Sequence, residues 1–320
     1  MNPKPRCWIV TDGRPGMINQ CLGLAEALGL DPIIKRTRLK SPWRQLAPVF
    51  LRWGKRWALT PQSDRLEPPW PDIMLSCGRQ SLLPALLVKQ RNPKTFAVQI
   101  QDPIISPDHF DMIIVPRHDR VRGENVLITT GSIHRVTAET LAQGAEKWRA
   151  VYASLPTPRI AVLIGGPNKA YGMRPQDVEQ LCDHLAKLCR DHGAGLMVTT
   201  SFRTGQANRD IIRKRLEGLP AIVWDGTGDN PYFGLLGLAD AIVVTPDSVN
   251  MVCEAASTGK PVYIAPLPGY SNKFDAFHAA MRADGVTRPF EGILDSWSYR
   301  PLDDTKAAAA EIRKRYGPGL

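Results

Sequence analysis

"VVTPDSVNMVCEAASTGKPVYIAP" (Val243–Pro266) is the stretch from which the fold can be read. An apolar run ends in Thr245-Pro246-Asp247-Ser248, a helical pattern begins, and Gly259-Lys260-Pro261 stops it before a second apolar run. Strand, helix, strand is the repeating unit of a parallel sheet. Asp247 or Ser248 can cap the helix, whose free first-turn N–H groups point toward the crevice beyond the strand end. An anion there gains about 0.3–1 kcal/mol from the helix dipole. Asn250 and Glu254 are four apart and share a helical face, while Val249, Val252 and Ala256 suit the buried side. Glu254 lies about one and a half turns into the helix. That is too deep to meet a phosphate, but suited to accepting hydrogen bonds from two ribose hydroxyls. An ordinary solvated surface glutamate is the alternative. The stretch therefore fits a diphosphate at the helix tip with a sugar or ribose beside it.

Outward from this unit the same alternation recurs. Strand patterns occur at 7–13, 32–39, 72–78, 95–103, 110–116 and 126–128, with helical patterns at 15–28, 81–89 and 137–148. "YASLPTPR" (152–159) breaks the pattern with two prolines and reads as a hinge. Domains of 1–152 and 153–300 are therefore expected. After the hinge the alternation restarts, with strands at 160–166, 195–201, 221–226, 239–246 and 261–266 and helices at 175–192, 205–217 and 248–257. A final helix spans 305–316.

Open parallel sheets bind ligands beyond the carboxyl ends of their strands. In the second half those ends are Gly165-Gly166, Thr199-Thr200-Ser201, Asp225-Gly226, Thr245–Ser248 and Pro266–Gly269. Turn chemistry alone explains any one of them; their recurrence favours a cleft. The first half reads Asp12-Gly13-Arg14-Pro15-Gly16 after its first strand, which is not a dinucleotide fingerprint. Asp12 would repel a pyrophosphate and suits taking or orienting a hydroxyl proton. A turn residue or a helix cap is the structural alternative. No Walker pattern and no Gly-x-Ser-x-Gly elbow is present.

Composition narrows the class. At 43% hydrophobic, the 320 residues can bury a sizeable core, and 26 glycines and 28 prolines without a period exclude a fibrous protein. Six cysteines are scattered without Cys-x-x-Cys spacing, as expected of reduced core thiols in a cytoplasmic protein. Six histidines are equally dispersed, and no metal site is expected. No apolar run reaches the ~18–20 residues of a membrane-spanning helix, so the expectation is a soluble protein or one lying on a membrane surface. The net charge is +10, and Pro32–Ser63 carries eight Lys/Arg without an acid, together with Trp43, Phe50, Trp53 and Trp57. Residues 35–57 can be a solvated helix with inward tryptophans or a patch for an anionic membrane. No nucleic-acid partner is expected, because no reading module accompanies the charge.

Val243–Pro266 is similar to the nucleotide-sugar half of GT-B glycosyltransferases. The whole chain resembles the bacterial branch of the mitochondrial-fission ELM-type family. "TDGRPGMINQ" (11–20), "GGPNKAYG" (165–172), "TPDSVNM" (245–251) and "GKPV" (259–262) carry that resemblance. It implies an α/β fold of two facing Rossmann-like domains, with 301–320 crossing back as a helix onto the first. It also implies a metal-independent glycosyltransferase moving a sugar from a nucleoside-diphosphate sugar to a hydroxyl of a lipid-linked or envelope glycan. Such an enzyme would work in the cytoplasm, peripheral to the inner membrane, with the nucleotide sugar as co-substrate and no cofactor. Asp12 and Arg203 would be catalytic. Gly165, Gly166, Lys169, Ser201, Thr245, Asp247, Ser248, Asn250, Met251, Glu254 and Lys273 would hold the donor. An epimerase or hydrolase on the same nucleotide sugar and a catalytically silent membrane adaptor are the alternatives. Unlike many lipid-glycan glycosyltransferases, the chain has no histidine in its first glycine loop.

Overall fold

Short apolar runs punctuated by Gly and Pro become strands, and the amphipathic segments between them become helices. The computed structural model describes residues 4–46 and 58–320. The first elements are β1 (Cys7–Thr11), α1 (Pro15–Leu28), β2 (Pro32–Arg36), α2 (Trp43–Leu46), β3 (Ile73–Cys77) and α3 (Leu82–Arg91). β4 (Phe96–Ile100), β5 (Met112–Pro116) and β6 (Val126–Thr129) follow. The chain continues with α4 (Ala138–Trp148), β7 (Arg159–Ile164), α5 (Pro175–His192), β8 (Gly195–Thr200), α6 (Gln206–Leu216) and β9 (Ala221–Val223). Last come α7 (Tyr232–Leu238), β10 (Ala241–Val244), α8 (Val249–Ala256), β11 (Val262–Ile264), α9 (Asn272–Ala283), β12 (Thr287–Pro289) and α10 (Asp304–Tyr316).

Two six-stranded sheets result, ordered β2-β1-β3-β4-β5-β6 and β12-β11-β10-β7-β8-β9. Every pairing is parallel, for example Cys7 with Pro32 and Ile73 on either side of β1. Strands β1, β3, β7 and β10 are buried on both faces, as helices over a parallel sheet require. The fold is thus α/β, with two Rossmann-like halves.

Local signals set the helix limits. Helix α1 takes Pro15 at its start and ends at Gly29, whose φ of +72° is the left-handed cap. Helix α5 has Asp177 in its first turn and Arg190 and His192 in its last, matching the helix dipole.

The chain divides into two compact units, 1–135 with 303–320, and 136–302. The division falls at Arg135–Val136 rather than at the proline pair near 152–159. The cause is α4, which packs on α7 in the second unit. That packing needs glycine: a Cβ on Gly237 would collide with the Leu141 carbonyl, and one on Gly234 with the Trp148 ring. Gly237→Ala is therefore expected to lose about 1–3 kcal/mol by forcing the two helices apart. Urea denaturation measures the loss, and an unchanged midpoint would show that the helices yield freely.

Helix α10 belongs to the first unit. Its Ala308, Ala309 and Ile312 are buried with Cys21, Leu24 and Leu28 of α1. The Asp304 carboxylate accepts the N–H groups of Thr130 and Gly131, at 2.9 and 2.8 Å.

All six cysteines are buried, and none forms a disulfide among the described residues. Among the described residues, no helix is long and apolar enough to cross a membrane. Within the basic aromatic stretch, Phe50, Arg52, Trp53, Lys55, Arg56 and Trp57 lie outside the described residues. Lys35, on β2, sits 4.7 Å above the ring of the buried Trp8.

Candidate functional site

In the second sheet, β8 and β9 lie to one side of β7, while β10, β11 and β12 lie to the other. The order in which successive strands are added thus reverses between the parallel β7 and β10, whose carboxyl ends flank a topological switch point. Four loops end there: 165–172, 201–205, 245–248 and 265–271.

One carboxylate ties three of the loops together. The Asp247 side chain is wholly buried. It accepts the Thr245 hydroxyl at 2.6 Å, the Gly166 N–H at 3.1 Å and the Arg203 guanidinium at 2.6 Å. Arg203 also donates to the carbonyls of Gly166 and Pro167, at 2.6 and 3.3 Å. The Gly165 N–H reaches the Thr245 hydroxyl at 2.8 Å. A Cβ on Gly165 would collide with the Asp247 carboxylate, and one on Gly166 with the Arg203 backbone. The two glycines are thus needed because a buried carboxylate and a neighbouring turn press against them.

Asp247 and Arg203 therefore differ from the sequence expectation. Asp247 is turned into the protein as the anchor of the crevice floor rather than displayed to a ligand. The Arg203 guanidinium, 40% exposed, is engaged in holding that anchor. Ser201 accepts the Arg203 N–H, and Ser248 caps α8 by accepting the Met251 N–H at 3.3 Å. Asn250 and Met251 lie half-buried on the first turn of α8, and Lys169 and Lys273 are exposed.

Glu254 projects from α8 and is only 8% exposed, which excludes a solvated surface role. The Tyr232 hydroxyl, from the first residue of α7, donates to its Oε2 at 2.5 Å. Burial pushes the Glu254 carboxyl up to about 7, with the Tyr232 hydrogen bond pulling the other way. Burial, then the charge of Glu254, raises the Tyr232 phenol well above its usual range. A buried carboxylate already holding one hydroxyl has the chemistry to hold others.

Asp12, in the first unit, is clasped by its neighbour. Its carboxylate meets the Arg14 guanidinium at 2.5 Å and accepts the Arg14 N–H at 3.2 Å. Arg14 thus fixes the carboxylate that the sequence offers either as the group taking or orienting a hydroxyl proton or as a turn residue or helix cap.

Sequence reasoning did not single out Tyr232, Asn168 or His278. Asn168 donates to the Asp247 carbonyl at 2.9 Å and accepts the N–H groups of Ala170 and Tyr171, which shapes the glycine loop. His278 of α9 lies 2.9 Å from the Pro246 carbonyl through Nε2, and burial lowers its pKa. A neutral ring donating from Nε2 satisfies that carbonyl and leaves Nδ1 buried without a partner. The available signal for His278 was its place in the helical series Phe274, Phe277, His278 and Met281.

The profile of the family described as Mitochondrial fission ELM1 matches residues 15–316. The chain belongs to that family. It is 30% identical, over an alignment of 387 residues, to the mitochondrial fission protein ELM1 of Arabidopsis thaliana, covering 97% of this chain and 90% of the relative. Among solved structures, it is similar to a UDP-GlcNAc 2-epimerase of Methanocaldococcus jannaschii in complex with UDP-GlcNAc and UDP. There the TM-score is 0.57 at 12% identity, over 98% of this chain and 100% of the other. It is also similar to the glycotransferase of kitacinnamycin, with a TM-score of 0.53 at 16% identity over 99% and 94% of the two chains. At such identities the likeness establishes the shared fold. This chain thus shares its two-domain α/β fold with those two proteins.

Proposed function

We propose that this ELM1-family chain is a glycosyltransferase whose second unit binds a nucleoside-diphosphate sugar. The observation that carries the reading is Glu254, buried on the helix that starts at the switch point and held there by Tyr232 of α7. Its carboxylate takes the ribose hydroxyls, and the first turn of α8 takes the diphosphate. The M. jannaschii structure, with UDP-GlcNAc and UDP bound to the same fold, supports that choice of ligand.

In this reading Lys169 and Lys273 neutralise the leaving diphosphate, so transfer needs no metal ion. Arg203, Asp247, Thr245, Ser201 and the two glycines act by fixing the floor. Asn250 and Met251 line the first turn of α8. The bond from the sugar to the diphosphate breaks, and a new one forms to the acceptor oxygen. The acceptor's proton passes to Asp12, which Arg14 holds in place. The acceptor is a hydroxyl of a lipid-linked or envelope glycan, met at the inner membrane surface. An epimerase or hydrolase on the same donor is the second reading, favoured by the epimerase likeness. Product analysis separates them, because a free sugar or an isomer would exclude transfer.

Calorimetry with UDP, GDP, ADP, CDP and dTDP tests the donor site. Binding of at least one with a Kd of about 1–100 μM, near −7 kcal/mol, is expected. Millimolar or weaker binding of all five to folded protein would defeat the proposal.

A further inference from the structure

Among the described residues, the two non-glycine residues with positive φ are Gln101 at +75° and Ile104 at +60°. Both lie in one loop, Gln101-Asp102-Pro103-Ile104, at the carboxyl end of β4. A β-branched residue is the least suited to this left-handed region. Ile104 is also 64% exposed. Two separate penalties therefore fall on a single side chain.

The backbone of the loop is held from several directions. Asp102 accepts the Ile104 N–H at 2.8 Å, and Pro103 is buried. The Gly78 N–H donates to the Ile100 carbonyl at 3.2 Å, joining the loop's root to the end of β3. Gln101 Nε2 lies 3.5 Å from Met17 Sδ on the first turn of α1. Strands β1 and β3 are adjacent, with β2 to one side and β4 to the other, so their carboxyl ends form the switch point of the first sheet. The loop thus stands on the rim of that crevice. An asparagine or glycine at 104 would complete the same turn without strain. Nothing in the turn calls for an isoleucine, whose methyl groups mostly face solvent.

We infer that Ile104 is a specificity-determining contact for the apolar chain of an amphiphilic acceptor whose polar head occupies the first unit's switch point. The inference rests on the sugar-transfer reading and names the chemistry of its acceptor. Ile104 offers only hydrocarbon, so it can favour a prenyl or acyl chain and cannot read a sugar or a phosphate. An open, strained conformation keeps that hydrocarbon presented before the acceptor arrives.

The test is saturation-transfer NMR on the full chain with geranyl monophosphate, and with inorganic phosphate as the competitor. Wild-type protein is expected to give transfer concentrated on the geranyl methyl groups. Ile104→Asn should weaken binding about tenfold, the worth of burying much of one aliphatic side chain. Ile104→Leu should stay within about threefold, because it keeps the apolar contact. Both variants should melt no lower than wild type, since each suits position 104 at least as well. Equal binding by wild type and Ile104→Asn would overturn the inference, as would full displacement by inorganic phosphate. Absence of geranyl phosphate binding to wild type would overturn it too, even if vesicles bound. UDP calorimetry on the same samples keeps the two ideas separate: loss of UDP binding defeats the donor reading and leaves the geranyl result standing.

Discussion

Glu254→Gln is expected to make the unliganded protein more stable at pH 8, by up to about 3 kcal/mol, while weakening nucleotide binding. The folded-state carboxyl titrates at about 7 against an ordinary 4.5, because burial disfavours its charge. Between those values the folded chain holds a proton that the unfolded chain has released. Stability is therefore fully present below about 4.5, falls as pH rises toward about 7, and stays low above it. Each pH unit of that window is worth about 1.4 kcal/mol. Glutamine still accepts the Tyr232 hydroxyl but never carries the charge. Urea denaturation of wild type and variant at pH 4.5, 6 and 8 should show no gain at the first, a partial gain at the second and the full gain at the third. A variant less stable than wild type at pH 8 would mean that the carboxylate serves the fold. Loss of charge-assisted bonds to two hydroxyls should weaken nucleotide binding tenfold to a hundredfold, about 1.5–3 kcal/mol. Stability gained while binding is lost marks a residue kept for its ligand.

The alternation of elements was open to sequence reading because its punctuation is local. Pro15 and Gly29 bracket α1, and Pro175 and Gly193 bracket α5, so both helices follow from residues at their ends. Helix α7 was harder, because Gly234 and Gly237 lower helix propensity and are explained only by the approach of α4. The same contact moves the boundary between the units to Arg135–Val136, which two prolines further along could not indicate.

For the site, residue types were readable and directions were not. A carboxylate after a strand reads equally well as a helix cap or a ligand contact. Which way Asp247 turns depends on glycines in the distant β7 loop and on Arg203 beyond β8. Glu254 shows the converse. Its helical face was clear from spacing, but its burial depends on Tyr232, on a helix that the sequence pattern does not announce.

The Arg203–Asp247 pair should give the largest structural effect of any site substitution. Arg203→Ala leaves the wholly buried Asp247 carboxylate with only the Thr245 hydroxyl and the Gly166 N–H. Removing one partner of a fully buried pair costs roughly 3–5 kcal/mol. Arg203 is 40% exposed, so water can enter behind it, and a loss of about 2–3 kcal/mol is the expected result. In a unit of this size that lowers the melting temperature by about 5–10 °C. Asp247→Asn should cost about 1–3 kcal/mol, because one amide cannot accept from Gly166, Thr245 and Arg203 as a carboxylate does. The double variant should lose less than the two single losses together, by about 1–2 kcal/mol, since the second change removes a charge that the first stranded. Additive losses would show that the two side chains act independently. All three variants, measured well below their melting temperatures, should bind nucleoside diphosphate at least about tenfold more weakly, because the backbone of Gly165–Pro167 has lost its anchor. Full binding by folded Arg203→Ala would separate the floor of the crevice from the ligand, leaving Glu254 and the tip of α8 to hold the nucleotide without it.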